Sequence, residues 1–225
     1  MSYPKVKFLL NKTLDKKMAI EFLSRNFRGG INFSLCILGT HPRIKRLIFD
    51  YIDNFYKKYH SQLFKTASKF QKIWEKNSTA FFTATDVIFN HHSWPKGSYI
   101  AYISIFSCGP RFLEDKTFQV FYQNNKFQAL HAIAHELLHF LFYDYIEKKR
   151  RDIKTKLNDE QLWRISEIVN EVLLDPKYLG GVLGITVRQK GYPDFIPITN
   201  RIKREFKKND DINKLINLAI KFEKK

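Results

Sequence analysis

The sequence predicts an α+β fold in which helices flank a small mixed or antiparallel sheet. The first observation is helical periodicity, because apolar residues recur every three or four positions after Pro42 and again near the end of the chain. The second is a change of period between these tracts, where segments rich in Thr, Phe, Val and Ile have the composition of strands. Because 225 residues with 44% hydrophobic content are enough to bury a core, we expect residues 1–225 to form a single domain.

Residues 1–78 are predicted to form a helical region that begins with a short strand. Residues 5–10 suit a strand, and Thr13 is placed to cap a helix over 14–28. Residues 31–38 are apolar and fit either a buried strand or a buried helix.

A long helical tract follows and is expected to be interrupted once. Pro42 suits the first turn of a helix, and apolar residues recur at helical spacing through Trp74. Because roughly thirty residues is long for one helix of a globular protein, we expect a break near 60–66.

Residues 79–176 are predicted to form the functional core, with three strands followed by two helices. The strands are expected over 79–89, 99–106 and 117–122. The helices are expected from Asn124 or Asn125 to about residue 149, and from Asn158 or Asp159 to Pro176.

The remaining residues, 177–225, are predicted to form a loop and a helix. Glycine and proline are frequent over 177–198, which indicates a loop, and short strands would fit around 183–188. From about Asp211 onward, apolar residues at helical spacing predict an amphipathic C-terminal helix.

Residues 135–139 carry the pattern H-E-x-x-H inside the first core helix. Histidines four positions apart on a helix point the same way, so His135 and His139 can bind one zinc ion. The intervening Glu136 is placed to accept a proton from a water on that ion. The surrounding helix is apolar on almost every side, and buried imidazoles and carboxylates need partners, which a cation supplies. The sequence therefore predicts a zinc site.

A third ligand must come from elsewhere in the chain. No histidine follows His139, which excludes the arrangement H-E-x-x-H-x-x-G-x-x-H and leaves a carboxylate. The second core helix offers Glu167, Glu171 and Asp175 at intervals of four residues. By periodicity alone, that polar face fits an ordinary solvated surface equally well.

The other nearby histidines are weaker candidates. His131 lies eight residues before His139, about 12 Å along a straight helix, which is too far for both to share one ion with His135. We expect His131 to line the cleft or to be a core histidine with its own partners. His91 and His92 fall in a predicted loop, from which a ligand is a less favoured alternative.

The two core helices together resemble the gluzincin zinc metallopeptidases, either the thermolysin-like enzymes or the minimal gluzincins. The resemblance rests on residues 135–139, His-Glu-Leu-Leu-His, and on residues 170–175, Asn-Glu-Val-Leu-Leu-Asp. It implies a zincin-like catalytic domain that contains a small sheet, an active-site helix and a glutamate helix.

The resemblance also implies the roles of individual residues. Glu171 would be the third zinc ligand, with Glu167 as the alternative, and Asp175 would orient His135. The segment 117–122 would be an edge strand that pairs with extended substrate.

The activity implied is that of a zinc-dependent endopeptidase. Zinc held by the two histidines and the glutamate would activate water, and Glu136 would act as the general base. The oxyanion of the reaction needs a further donor, for which Tyr178, Tyr192 and Arg188 are candidates.

A rival hypothesis follows from the charge of the chain. The net charge of +17 favours nucleic acids, acidic proteins and anionic membranes as partners. The chain would then be a zinc-stabilised protein without catalytic activity that binds nucleic acid or an acidic partner through its basic surface. A peptide or protein is the partner that the enzyme hypothesis requires.

Two further observations concern the environment of the chain. No apolar run approaches roughly 20 residues, so we expect no membrane span. The N-terminal residues lack the apolar core of a signal peptide, and Cys36 and Cys108 are far apart in sequence. Both features favour a cytoplasmic protein with free thiols.

Overall fold

The computed structural model of the chain describes residues 3–24, 42–187, 191–207 and 209–223. It is an α+β structure, mostly helical, with a mixed four-stranded sheet, as the sequence predicted. The strands are β1 (Val6–Leu10), β2 (Tyr99–Ser104), β3 (Arg111–Phe112) and β4 (Thr117–Phe121). The helices are α1 (Lys12–Ser24), α2 (Pro42–Ile88), α3 (Lys126–Lys149), α4 (Arg151–Lys154), α5 (Asp159–Leu173), α6 (Leu179–Val182), α7 (Ile196–Glu205) and α8 (Ile212–Glu223), and a 3₁₀ turn occupies Pro193–Phe195.

The chain divides into two compact units. The sheet unit comprises Lys5–Ile73 and Ser98–Ala129. The helical unit comprises Met1–Pro4, Trp74–Gly97 and Leu130–Lys225. The H-E-x-x-H segment and α5 both belong to the helical unit.

The sheet unit contains four strands in the order β1-β2-β4-β3. β1 and β4 run parallel to β2, whereas β3 runs antiparallel to β4, where Phe112 pairs with Thr117. The prediction that segment 117–122 is an edge strand is therefore wrong, because β4 lies between β2 and β3. The short β3 was not predicted, since two residues are too few to show strand periodicity.

A buried carboxylate connects the elements of the sheet unit. Asp15 on α1 accepts hydrogen bonds from Tyr56 Oη at 2.7 Å, Ser104 Oγ at 2.6 Å, Gln119 Nε2 at 2.7 Å and the Ile105 amide at 3.2 Å. Burial raises the pKa of Asp15, and these hydrogen bonds act in the opposite direction. Four donors around one carboxylate fix α1 to α2, to the end of β2 and to the middle of β4.

The outer edge of β1 is covered by a side chain from α2. The amide of Phe8 donates to Gln71 Oε1 at 3.1 Å, and Gln71 Nε2 donates to the carbonyl of Val6 at 3.0 Å. The Gln71 side chain thus makes the two hydrogen bonds that a neighbouring strand would otherwise make to the Phe8 amide and the Val6 carbonyl.

Helix α2 is continuous from Pro42 to Ile88, so the predicted break near 60–66 and the predicted strand over 79–89 are both wrong. Phe81, Thr85 and Phe89 are fully buried at intervals of four residues, which is helical spacing. Thr85 Oγ1 donates to the carbonyl of Phe81 at 2.7 Å, as threonine does within helices. Packing of this apolar face overrides the strand propensity of the Thr, Phe, Val and Ile residues.

The predicted helix cap is confirmed for α5 and is wrong for α1. Asn158 is one of the two residues predicted to cap α5, and it does so through a capping box with Gln161. In α1 the cap is Asn11, whose side chain accepts from the Leu14 amide at 2.9 Å, and not the predicted Thr13. The end predicted for that helix at residue 28 and the segment 31–38 lie outside the described residues.

The C-terminal region is more helical than the sequence predicted. Helix α8 confirms the predicted amphipathic helix, and it packs with α5 and α7. The predicted loop 177–198 contains α6, the 3₁₀ turn and the start of α7, and residues 183–187 form no strand. Among the described residues, no helix combines the length and apolar character needed to span a membrane.

Candidate metal centre

Helix α3 carries His135, Glu136 and His139 on a rigid support. Its N-terminus is capped by Asn125, whose Oδ1 accepts hydrogen bonds from the amides of Phe127 and Gln128. His139 is fully buried and Glu136 is 7% exposed. The His135 side chain is 22% exposed, so the cluster is open to solvent on this side.

Helix α5 adds a carboxylate to the two imidazoles. Glu167 Oε2 lies 3.2 Å from His135 Nε2, and Glu167 Oε1 lies 3.3 Å from His139 Nε2. The two Nε2 atoms are 3.0 Å apart. Glu167 is 4% exposed, and its neighbours on α5 are buried as well.

The electrostatics of the cluster favour an ionised carboxylate. Burial alone raises the pKa of Glu167, but its interactions with His135 and His139 outweigh burial and hold the pKa well below its usual range. Two imidazole nitrogens and a carboxylate oxygen thus lie within 4.8 Å of one another, and such a donor set can hold a divalent cation.

The spacing of these groups is compatible with a zinc ion. Zinc binds histidine nitrogen and carboxylate oxygen at about 2.0–2.2 Å with tetrahedral angles, which places neighbouring ligand atoms about 3.3–3.5 Å apart. The two Nε2 atoms are 3.0 Å apart, and each lies 3.2 or 3.3 Å from a different oxygen of Glu167, which is close to this range.

The structure places Glu167, and not Glu171, beside the two histidines. This is the alternative ligand weighed above, one helical turn before the residue that the family resemblance implies. The carboxylate of Glu171 instead packs against Gly191, so closely that a Cβ at that position would overlap it. The physical reason lies in the packing of α5 on α3, which brings the earlier turn of α5 level with His135 and His139.

Asp175 lies at the C-terminal end of the same helix, where it takes part in a buried ion pair. Its Oδ2 lies 3.1 Å from Lys203 Nζ, and both side chains are at most 6% exposed. Its Oδ1 accepts a hydrogen bond from the Lys177 amide at 3.1 Å. The predicted role of Asp175 in orienting His135 stays a prediction.

Asn170 is a site residue that the sequence reasoning did not assign. Its Nδ2 donates to the carbonyl of His135 at 3.1 Å, and the residue is fully buried. The available signal was its position three residues after Glu167, which places both on one face of α5.

Three other histidines of the described residues, His91, His92 and His131, are not part of the cluster. His131 stacks near His135 with ring centroids 6.1 Å apart, and burial together with the proximity of His135 lowers the pKa of His131 to about 3. His92 Nε2 lies 2.7 Å from Asp144, and His91 Nδ1 lies 3.1 Å from Asp86. That His131 is not a ligand stays a prediction.

The structure separates the candidate oxyanion donors. The hydroxyl of Tyr178 donates to the carbonyl of Phe206 at 2.8 Å, so it is engaged elsewhere. Arg188 lies outside the described residues. The ring of Tyr192 packs against Trp163, with centroids 5.6 Å apart, and 45% of the residue is exposed.

Segment 191–195 lies along the face of α5 that carries Glu167. Gly191 contacts the carboxylate of Glu171, while Tyr192 and Phe195 contact the ring of Trp163. Trp163 and Glu171 lie one turn before and one turn after Glu167. The segment therefore lies beside the turn of α5 that carries Glu167.

In comparisons with known proteins, no family model, no curated protein and no solved structure matches the chain.

Proposed function

We propose that the chain is a zinc-dependent metallopeptidase whose metal is held by His135, His139 and Glu167. The observation that carries this proposal is the convergence of two imidazole nitrogens and one carboxylate oxygen from two helices. The sequence position of Glu136, between the two histidines, adds a buried carboxylate that is suited to general-base work. The choice of a peptide bond as the substrate rests on the resemblance of H-E-x-x-H and the following glutamate helix to gluzincins.

The residues of the chain divide the chemical work. Zinc held by His135, His139 and Glu167 would lower the pKa of a water toward about 7 and polarise a substrate carbonyl. Glu136 would accept the proton of the attacking water and pass it to the leaving amine. Glu136 and His139 are buried, whereas 22% of the His135 side chain is exposed, so substrate would approach from the side of His135.

The metal content of matched glutamate variants tests the ligand set. We expect one zinc per chain in the wild type and in Glu171→Gln, and loss of zinc in Glu167→Gln. The two variants remove the same charge from the same helix, one turn apart, so a general effect on folding would affect both. Loss of zinc only in Glu171→Gln would make Glu171 the ligand, and zinc-free wild-type protein would overturn the proposal.

Hydrolysis by a base variant tests the reaction. Glu136→Gln is expected to keep zinc and to lose cleavage of casein or of a quenched peptide library by at least 100-fold, as general-base catalysis implies. Retained cleavage would remove Glu136 as the base. Stoichiometric zinc in a wild-type protein that cleaves no peptide would favour the zinc-stabilised binding protein instead.

A further inference from the structure

One face of α2 carries a row of lysines. Lys58, Lys65, Lys69 and Lys72 are separated by seven, four and three residues, which places them within one narrow arc of a helix. We call these four residues the lysine face. All four are exposed, and all belong to the sheet unit.

The buried side of α2 fixes the direction of the lysine face. Tyr56, Leu63 and Phe70 are buried in the core of the sheet unit, and they lie on the opposite side of the helix. The core contact therefore holds α2 in an orientation that turns the four ammonium groups toward solvent.

The stretch of α2 that carries the lysine face contains no acidic residue. Between Asp53 and Glu75 the sequence contains five lysines and no acidic residue. In the described part of the chain, none of the four lysines forms an ion pair, and Lys58 instead lies over the ring of Tyr59 at 5.1 Å. Like charges held along a rigid helix repel one another, and an anionic partner relieves that repulsion.

The dimensions of the lysine face match a phosphate backbone. Residues 58–72 extend for about 21 Å along the helix axis. One strand of a B-form duplex presents a phosphate every 3.4 Å or so, so about six phosphates lie beside a rod of this length. A shallow surface depression at the N-terminal part of the face adds Ser61, Gln62 and Thr66, whose side chains can donate to phosphate oxygens.

We propose that the lysine face binds the phosphate backbone of a nucleic-acid duplex without reading its sequence. Lysine is a point charge suited to phosphate, and the face contains no arginine or asparagine that would pair with a base edge in two places. A membrane surface is a poorer match, because binding at a bilayer needs large apolar residues among the charges. Within residues 58–72, the exposed Phe64 is directed about 120° away from the lysines around the helix.

The salt dependence of binding by full-length variants tests this proposal. Binding of a 20-base-pair duplex DNA would be followed by fluorescence anisotropy from about 50 to 200 mM salt for the wild type and for Lys58→Gln/Lys65→Gln/Lys69→Gln/Lys72→Gln. Each lost phosphate contact reduces the slope of log K against log salt by about 0.9, so we expect a reduction of about 3–4 and at least tenfold weaker binding at the lowest salt. Glutamine preserves helix propensity, and circular dichroism checks that both proteins fold.

A matched control removes the same charge from the helical unit. Lys96, Lys149, Lys156 and Lys177 are exposed lysines, and their replacement by glutamine gives a variant of identical net charge. We expect this control to bind within about threefold of the wild type, with a slope reduced by less than about 1.

Three outcomes would overturn the proposal. They are equal losses in the two quadruple variants, no duplex binding by the wild type at the lowest salt, and lysine-dependent binding to vesicles of anionic lipid without binding to duplex. Equal binding of duplex RNA and duplex DNA would support it, because the chemistry recognised is the phosphate. The result does not depend on the proposed peptidase activity, since zinc content and peptide cleavage are expected to be the same in the lysine-face variant and the wild type.

Discussion

The side chain of Asn170 on α5 holds the backbone of His135 on α3 through a hydrogen bond of 3.1 Å. This contact joins the two helices at the level of the candidate zinc ligands. Asn170 is fully buried, so solvent does not reach this hydrogen bond from the Asn170 side. The bond therefore sets the position of one ligand-bearing helix relative to the other.

We expect Asn170→Ala to weaken zinc binding by about 10–100-fold, as the loss of residues that orient metal ligands does. It would also lower the free energy of unfolding by about 1–3 kcal/mol, because a buried carbonyl loses its donor. Competition with a zinc chelator measures the affinity.

The capping residue of the same helix provides a control for Asn170. Asn158→Ala removes the N-cap of α5 and is expected to lower the free energy of unfolding by about 1 kcal/mol. Its zinc affinity should remain that of the wild type. Equal losses of affinity in both variants would show that Asn170 acts only through the stability of α5.

The buried ion pair of Lys203 and Asp175 gives a second prediction. Lys203→Met leaves the Asp175 carboxylate buried beside an apolar side chain, and we expect about 3–5 kcal/mol of lost stability in urea unfolding. The double variant Lys203→Met/Asp175→Leu should be more stable than Lys203→Met alone. Additive losses from the two substitutions would contradict a direct interaction between these charges.

Two glycines of the helical unit provide a third, matched prediction. A Cβ at Gly180 would overlap the Leu174 carbonyl and the backbone of Asp175, whereas a Cβ at Gly191 would overlap only the end of the Glu171 side chain. Backbone cannot move aside as a side chain can, so Gly180→Ala should cost about 1–3 kcal/mol. Gly191→Ala should cost less, as measured by thermal unfolding. The reverse order would mean that the Gly191 segment is the more rigid of the two.

The acid sensitivity of α8 is a fourth prediction. Asp211 accepts hydrogen bonds from Asn90 Nδ2 at 2.9 Å and from the Lys214 amide at 3.0 Å, and it caps α8. The bond from Asn90 is the main cause that lowers the pKa of Asp211, and the Lys214 amide adds to it against the effect of burial. A lowered pKa means that the stabilisation is present above about pH 4 and is lost as pH falls through the folded-state pKa.

Unfolding of Asp211 variants at several pH values measures this contribution. Asp211→Ala should lose about 1 kcal/mol at pH 7, which is typical of a lost cap. Asp211→Asn should keep more of the cap at pH 7 and lose less stability than the wild type between about pH 4 and pH 2. An unchanged acid limb in Asp211→Asn would assign the acid sensitivity to other carboxylates.

The sequence was sufficient to predict the parts of the site that depend on local geometry. Positions 135 and 139 share a helix face whatever surrounds the helix, so their side chains could be paired from spacing alone. The choice between Glu167 and Glu171 could not be made in this way. Both residues lie on one face of α5. Which of the two turns contacts α3 depends on how far the helices are displaced along their axes, and that displacement is set by contacts between residues distant in sequence.

The same limit applies to α2. Residues 79–88 have strand-like composition, yet Phe81 and Thr85 are buried at helical spacing. Intrinsic propensities differ by fractions of a kcal/mol per residue, and burial of large aromatic side chains contributes more. The secondary structure of these residues therefore depends less on their composition than on the surface against which they pack.

The hydrogen bonds that Gln71 makes to Val6 and Phe8 have a consequence for the chain in a crowded solution. An uncovered outer strand is a template on which a second molecule can extend the sheet, and such pairing leads to aggregation. At β1 a single amide from a neighbouring helix occupies the groups that would start this pairing. The Gln71 side chain should therefore make pairing of a second molecule at this point of the mixed sheet less favourable.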